Sequence, residues 1–157
     1  SLAIPFAQVL TCSDSRVPPE VVFDLSLSID VHRSSMADSH EAAVGGVTHG
    51  VIRLGEFVTW RARHLGRWWT MTNEITEYER PYRFVDEQRR GPFAWFRHEH
   101  RFEATHDGRA TVMSDEVRFA APFGLLGRAV ESLVLKRYLA HLIDVRNDFI
   151  VSEATGT

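Results

Sequence analysis

The chain has 157 residues, of which 44% are hydrophobic and 25% charged, and its formal net charge is −3. These proportions are typical of a globular protein, and the length predicts one domain with its own core. A slightly acidic chain lacks the basic surface that binds nucleic acid or an anionic membrane, and no apolar run approaches the roughly 20 residues of a membrane span. We therefore expect neither a nucleic-acid partner nor membrane insertion.

The single cysteine, Cys12, excludes an internal disulfide and is typical of a reducing compartment. The first ten residues, SLAIPFAQVL, lack the basic start of a secretory signal and are interrupted by Pro5. We therefore expect a cytoplasmic protein. Its one domain is expected to cover residues 1–151, with a frayed tail over 152–157.

The N-terminal part of the chain predicts one strand and one short helix. Residues 6–13 favour a first strand. Pro18 and Pro19 then fit the start of a helix, because proline is tolerated in the first turn. An apolar stripe predicts that this helix continues to about residue 30. The polar stretch 31–39 is expected to be a loop, with Met36 as its buried anchor.

The middle of the chain alternates between apolar and polar side chains, in segments that are separated by turn residues. This two-residue period is that of half-buried strands. The predicted strand segments are 40–47, 56–64, 68–78, 83–102 and 110–121. Because the turns between them are short, an antiparallel meander is expected.

The segment 83–102 is the centre of the predicted sheet, because Gly91 and Pro92 divide it into the two arms of a hairpin. Each arm places polar side chains in line with large aromatic ones. The first arm aligns Phe84, Asp86 and Gln88, and the second aligns Phe96, His98, His100 and Phe102. If the arms share one face, aromatic rings frame a carboxylate, an amide and two imidazoles. Buried polar groups of this kind need partners or a ligand.

A long amphipathic helix is predicted over residues 125–151. Apolar side chains recur at helical spacing, and no glycine or proline interrupts the segment after Gly127. The apolar positions are 126, 130, 133, 134, 138, 142, 145 and 149.

This order of elements, together with several short segments, resembles the START/SRPBCC superfamily, and in particular bacterial proteins of the polyketide cyclase/dehydrase-like group. The segments are VPPEVVFDL, EITEYERPYRFVDEQ, RGPFAWFRHEHRFE, MSDEVRF and PFGLLGR. The resemblance implies an α+β helix-grip fold: a curved antiparallel sheet wrapped around a long C-terminal helix, with a short helical segment after the first strand. It also implies a deep apolar cavity between sheet and helix, for ligands that differ across the superfamily. No catalytic signature is shared across these families.

A second, local resemblance joins TCSDSRVPPE to the zinc-site segment of β-class carbonic anhydrases. The metal-binding cysteine and the aspartate–arginine pair would be Cys12, Asp14 and Arg16. That site needs two cysteines and a histidine, and this chain has neither a second cysteine nor a later His-x-x-Cys. We therefore expect the segment to bind no catalytic zinc and to hydrate no carbon dioxide.

The candidate site residues form an apolar wall and a polar patch. The wall consists of Trp60, Trp69, Met71, Phe84, Phe96, Phe102, Met113 and Phe119, and the patch of Asp86, Gln88, His98, His100 and Asp115. His98 and His100 face the same way, as two metal ligands would. No acid follows them at a spacing that completes a facial triad, so only the fold can bring a carboxylate to them. From the sequence we expect no metal and no cofactor.

The favoured function is binding or transport of a small apolar molecule, aromatic or lipid-like, in an internal cavity, because a few polar groups in an apolar pocket orient a small molecule. The alternative is a metal-free cyclase or dehydratase acting on a polyketide-like substrate. Its catalytic candidates are His98, His100 and Asp86, because a histidine beside an acid can act as a general base. A ligand-sensing regulator is a weaker alternative, and a homodimer is left open.

Overall fold

The computed structural model describes residues 6–11, 17–120 and 128–156, with side-chain surroundings for 17–120 and 133–156. Seven strands form one antiparallel sheet in the order β1-β7-β6-β5-β4-β3-β2. The elements are β1 (Phe6–Thr11), α1 (Pro19–Ser26), α2 (Ile29–Ser35), a 3₁₀ turn (Ala37–Ser39), β2 (Ala42–Gly46), β3 (Phe57–His64), β4 (Arg67–Glu79), β5 (Arg83–Arg90), β6 (Trp95–Ala104), β7 (Thr111–Ala120) and α3 (Arg128–Thr155). This is the predicted α+β helix-grip architecture. Within these ranges, no helix has both the length and the apolar character that crossing a membrane requires.

The pairing of β5 with β6 brings the two arms of the central hairpin onto one face. Phe84 pairs with His100, and Asp86 pairs with His98. The next pair of strands sets His100 opposite Asp115. Because side chains of paired residues share a face, the carboxylates and imidazoles lie together on the concave side. The predicted in-phase arrangement is therefore confirmed.

Irregular pairing bends the sheet. The register of β2 against β3 shifts between Ala43 and Gly45, and that of β4 against β5 shifts twice, between Thr72 and Asn73 and between Ile75 and Glu77. Such bulges add twist and bend a strand locally. They occur in the strands that cover the cavity, and they give the sheet the curvature that leaves room beneath it.

The predicted single helix that ends near residue 30 and is followed by a loop is wrong. The helical region divides into α1 and α2, and α2 covers most of the expected loop. The division lies at Ser28, whose hydroxyl accepts a hydrogen bond from the Val31 amide at 3.3 Å. The backbone there also bonds outside the helices, since the Ile29 amide donates to the Gly50 carbonyl at 2.8 Å. Met36 is buried, as expected.

The inward face of α3 differs from the predicted apolar stripe. Leu133 and Val134 are 50% and 52% exposed, whereas Arg146 and Asn147 are buried. The polar pair takes the inner face because both side chains make hydrogen bonds there, to Ser26 and Asp115 respectively. The helix also continues to Thr155, so the frayed tail predicted from residue 152 is wrong up to that point.

Phe23 of α1 joins the N-terminal helices to the sheet. Its side chain is fully buried, and its ring makes edge-to-face contacts with Tyr78, Phe84 and Phe102 at centroid distances of 5.3, 5.5 and 5.4 Å. Such pairs contribute beyond the area that they bury. The same cluster contains Ile150 of α3, so one aromatic residue connects three parts of the fold.

We expect Phe23→Ala to lower the free energy of unfolding by about 3–5 kcal/mol, because it removes a buried aromatic ring and leaves a cavity. Urea unfolding followed by circular dichroism measures this change. Val21→Ala on the same helix is the control: Val21 is 40% exposed, and the change there should stay within about 0.5 kcal/mol. Equal losses at the two positions would contradict the role given to Phe23.

Candidate ligand site

A cavity of about 330 Å³ lies between the concave face of the sheet and α3. Its size matches the few hundred Å³ of small-molecule sites. Alternation along β3 and β4 places every second side chain on its wall. These wall residues are Val58, Trp60, Ala62 and His64 from β3 and Trp69, Met71, Asn73 and Ile75 from β4. The helix contributes Leu135, Tyr138, Leu139, Leu142, Ile143 and Arg146.

The structure divides the predicted wall residues into two groups. Those that line the cavity are Trp60, Trp69, Met71, Phe84 and Phe96. Phe102 and Met113 lie in the core around Phe23 instead, and Phe119 packs against Phe93 and Phe96. These three positions correct the predicted wall. They share the concave face, but α1 and the β5–β6 turn cover them.

Gln88 is also outside the cavity lining. Its amide nitrogen donates to the Phe93 carbonyl at 2.8 Å, and its carbonyl oxygen accepts from the Phe93 amide at 3.2 Å. Both ends of the side chain are thus used to hold the turn between β5 and β6. Gln88 positions the hairpin and is not part of the polar patch.

The polar patch is an interior cluster of two imidazoles held between two carboxylates. His98 Nε2 lies 2.8 Å from Asp115 Oδ1, and His100 Nε2 lies 2.9 Å from Asp86 Oδ2. Each ring also approaches the other carboxylate: His98 Nδ1 lies 3.9 Å from Asp86 Oδ2, and His100 Nδ1 lies 3.0 Å from Asp115 Oδ1. Asp86, His98 and His100 line the cavity, as predicted, and Asp115 lies behind them.

Three further side chains complete the hydrogen bonding of this cluster. Asn73 donates to Asp86 Oδ1 at 2.7 Å, and Asn147 donates to Asp115 Oδ2 at 2.7 Å. The Arg146 guanidinium lies 3.7 Å from Asp115 Oδ1 and donates to the Asn147 side chain at 3.1 Å. Each carboxylate therefore has partners on both oxygens. The sheet and α3 are joined through Asp115.

Charge and burial shift the titration of the cluster. Burial raises the pKa of Asp115, but the adjacent imidazoles of His100 and His98 outweigh burial and hold its pKa well below the usual value. Burial also raises the pKa of Asp86, but the hydrogen bond from His100 and the nearby imidazoles outweigh burial and lower it. Burial, assisted by the neighbouring His100 ring, lowers the pKa of His98. The cluster thus favours ionised carboxylates and a neutral His98 at neutral pH.

Two buried polar atoms of the cluster lack a hydrogen-bond partner among the described residues. One is Asn73 Oδ1, and the other is His100 Nδ1, which is close to Asp115 but poorly aligned for a hydrogen bond. Both residues line the cavity. An unmet buried acceptor is costly, so Asn73 Oδ1 offers a specific attachment point to a hydrogen-bond donor.

Arg146, Asn147 and Asn73 were missed as site residues by reasoning from the sequence. The helical pair was not among the apolar positions used to predict the buried face of the helix. A signal was present, since positions 143, 146, 147 and 150 share one helical face and two of them are isoleucine. Asn73 was aligned with Trp69, Met71 and Ile75, so the alternation of β4 already placed it inside.

The prediction for the segment that resembles a zinc site of carbonic anhydrases concerns residues that the structure does not describe. Cys12, Asp14 and Arg16 lie outside the described residues. Among the residues that are described, the group able to hold a metal ion is Asp86, His98 and His100, whose ligand atoms lie within 4.8 Å of one another.

Several solved structures share this fold, whereas no family model and no curated protein matches the sequence. TTHA0849 from Thermus thermophilus has a TM-score of 0.75 and 11% identity over 98% of each chain. The Zhui aromatase/cyclase from Streptomyces sp. R1128 has a TM-score of 0.72 and 13% identity, over 98% of this chain and 94% of that chain. Ara h 8.0201 has a TM-score of 0.65 and 15% identity over 99% of each chain.

These likenesses extend over the whole chain and include both the sheet and the long helix. The chain therefore shares the helix-grip fold of these structures, which confirms the fold predicted from the sequence. At identities of 11–15%, the likeness defines the fold and leaves the chemistry to the residues of this chain.

Acidification should destabilise the protein in two steps. The lowered pKa of His98 means that its contribution is complete above the unfolded value of about 6.5 and is lost as pH falls through the folded value. The lowered pKa values of Asp86 and Asp115 add a second loss that begins below about pH 4. Thermal unfolding midpoints between pH 7 and pH 3 measure both steps.

His98→Gln should flatten the first step, because glutamine does not titrate. Burial lowers the pKa of His64 as well, so the remaining slope should fall further in the His64→Gln/His98→Gln double variant. The same substitution at the exposed His141 is the control. A midpoint that stays level or rises from pH 7 to pH 5 would contradict this assignment.

Proposed function

We propose that the protein binds a small, mainly apolar molecule that carries one hydrogen-bond donor, with its apolar body in the cavity and its donor at the polar cluster. The observation that supports this most strongly is the unpartnered Asn73 Oδ1, buried at the cavity wall beside Asp86. An apolar molecule alone leaves that oxygen unmet. A molecule with a hydroxyl or N–H group satisfies it.

The walls support an aromatic or lipid-like body. Trp60, Trp69, Met71 and Phe96 supply broad apolar surfaces, and methionine adapts to irregular shapes. The cavity volume of about 330 Å³ accommodates a molecule of two or three rings. The protein therefore combines a mainly apolar recognition surface with a polar anchor at the cluster. This is the arrangement expected of a binding or transport protein.

The proposal predicts that the protein distinguishes 2-naphthol from naphthalene, which has the same rings without the hydroxyl. We expect 2-naphthol to bind roughly tenfold more tightly, which corresponds to about 1.4 kcal/mol, the net value of one buried hydrogen bond. Isothermal titration calorimetry of both compounds measures the ratio. Asn73→Leu should abolish the preference, because leucine has a similar shape and no acceptor.

Two tryptophan substitutions locate the binding. Ala62→Trp projects into the cavity from β3 and should abolish binding of both compounds. Val44→Trp adds the same bulk at a residue that is 55% exposed and should leave binding unchanged. Binding that survives Ala62→Trp, or equal affinity of the wild-type protein for the two compounds, would contradict the proposal.

The second candidate is a lyase of cyclase or dehydratase type. The contact between His98 Nε2 and Asp115 favours it, because a carboxylate behind an imidazole orients the ring while its other nitrogen faces the cavity. The Zhui aromatase/cyclase shares the fold. In an enzyme, His98→Gln should spare 2-naphthol binding while reducing turnover by about 10²–10⁴-fold. In a carrier, the same change should act on binding alone.

A further inference from the structure

The cavity side of the polar cluster has the donor set of a metal site. Two imidazole nitrogens and one carboxylate oxygen converge there: His98 Nδ1, His100 Nε2 and Asp86 Oδ2. The oxygen lies 2.9 Å from His100 Nε2 and 3.9 Å from His98 Nδ1. Ligand atoms around one tetrahedral zinc ion, each about 2.1 Å from the metal, lie roughly 3.4 Å apart. The two observed separations, 2.9 and 3.9 Å, lie on either side of that ligand-to-ligand distance.

The far side of the His98 ring is fixed as a metal-binding histidine requires, and the far side of the His100 ring approaches the same carboxylate. His98 Nε2 and His100 Nδ1 both face Asp115 Oδ1, at 2.8 and 3.0 Å. A carboxylate behind an imidazole holds the proton on the far nitrogen and turns the near lone pair toward the metal. Asp86 is held in turn by Asn73, which donates to its other oxygen. His98 and Asp86 are therefore oriented before any ion arrives, and an ion would replace the hydrogen bond between His100 Nε2 and Asp86 Oδ2.

The charge balance also favours a cation. The cluster contains two carboxylates, Asp86 and Asp115, and one guanidinium, Arg146, so it carries one net negative charge when both imidazoles are neutral. The guanidinium is paired at the Asp115 end of the cluster: it lies 3.7 Å from Asp115 Oδ1 and donates to the Asn147 side chain and the Ser26 carbonyl. A cation at Asp86, His98 and His100 meets the uncompensated charge.

We propose that Asp86, His98 and His100 bind one divalent first-row transition-metal ion, of the Zn²⁺ or Fe²⁺ type, with its remaining coordination positions open to the cavity. Two histidines and one carboxylate with open positions are typical of such ions. The sequence alone predicts no metal because no acid follows the histidines along the chain. The acid comes instead from β5, where Asp86 pairs with His98 across the hairpin.

The test uses Co²⁺ and Zn²⁺ alone, added to wild-type protein that has been stripped with a chelator. Calorimetry should give one ion per chain, and bound Co²⁺ should show the visible absorption of a low-symmetry site. Asp86→Asn and His100→Gln should each weaken binding by roughly 100-fold or more. Asp115→Asn should weaken it by about 10–100-fold, since it removes the carboxylate that orients His98.

Matched controls separate this site from other histidines and from the cysteine. His64→Gln changes a second cavity histidine, whose ring contacts Tyr138 at 2.8 Å, and His141→Gln changes an exposed one. Cys12→Ser removes the sulfur of the carbonic-anhydrase-like segment. All three should retain wild-type affinity. Absence of stoichiometric binding, or equal loss in the His64→Gln control, would overturn the proposal.

Zinc X-ray absorption of the wild-type protein tests the ligands even if a variant fails to fold. The expected first shell has two imidazole nitrogens at about 2.0–2.1 Å and one carboxylate oxygen at about 2.0–2.2 Å. A sulfur ligand, or fewer than two imidazoles, would overturn the assignment. The outcome is independent of the proposed ligand binding, because no apolar compound is present; failure of one proposal leaves the other intact.

Discussion

The structure depends on the burial of Asp115. A carboxylate that is only 3% exposed must be matched by partners, because desolvation of an unpaired charge costs several kcal/mol. Its partners come from two directions: His98 and His100 from the neighbouring strand, and Asn147 and Arg146 from α3. Satisfying this one carboxylate fixes the helix against the sheet. It also holds the His98 ring through Nε2, so that its other nitrogen lies toward Asp86 and the cavity.

This constraint explains why an apolar cavity has one polar wall. Aromatic and aliphatic side chains from β3, β4 and α3 surround most of the cavity. They do not pack directly against one another, because a ligand can occupy the space between them. The carboxylates and imidazoles of the cluster lie on β5, β6 and β7, where strand pairing lets each satisfy the next. A molecule in the cavity therefore meets a mainly apolar surface, with the polar cluster of Asn73, Asp86 and the two histidines on one side. Further polar side chains of the lining are Ser26, Ser28, His32, Glu41, His64, Tyr138 and Arg146.

Alternation along the strands could be used to predict the cluster from the sequence. Once Phe84 and Phe102 are assigned to the interior, Asp86, His98 and His100 must follow them, since the period of a strand is two. The limit of this logic appears at Gln88 and Met113. Both share the interior face, yet neither lines the cavity. Gln88 is hydrogen-bonded to Phe93 in the β5–β6 turn, and Met113 is buried in the core under α1. Which part of a face lines a cavity depends on what packs against it.

The helices were less predictable for a different reason. An apolar stripe locates the buried face only if buried positions are apolar, and α3 buries Arg146 and Asn147. Their partners lie at Ser26 and Asp115, more than thirty positions away along the chain, so no local pattern identifies them. The helix α2 was missed because its polar sequence, IDVHRSS, resembles a loop. Its Ser28 cap and the contact of Ile29 with Gly50 stabilise it instead.

The central claim is that a molecule bound in the cavity places its polar group at the cluster, beside the two imidazoles. Long-range ¹H–¹⁵N NMR of the histidine side chains tests this directly, because each ring nitrogen reports its own hydrogen bonding. Saturation with 2-naphthol should shift the ring-nitrogen resonances of His98 and His100 and leave those of the exposed His141 in place. Resonances of His98 and His100 that stay unchanged while the compound is bound would contradict the account.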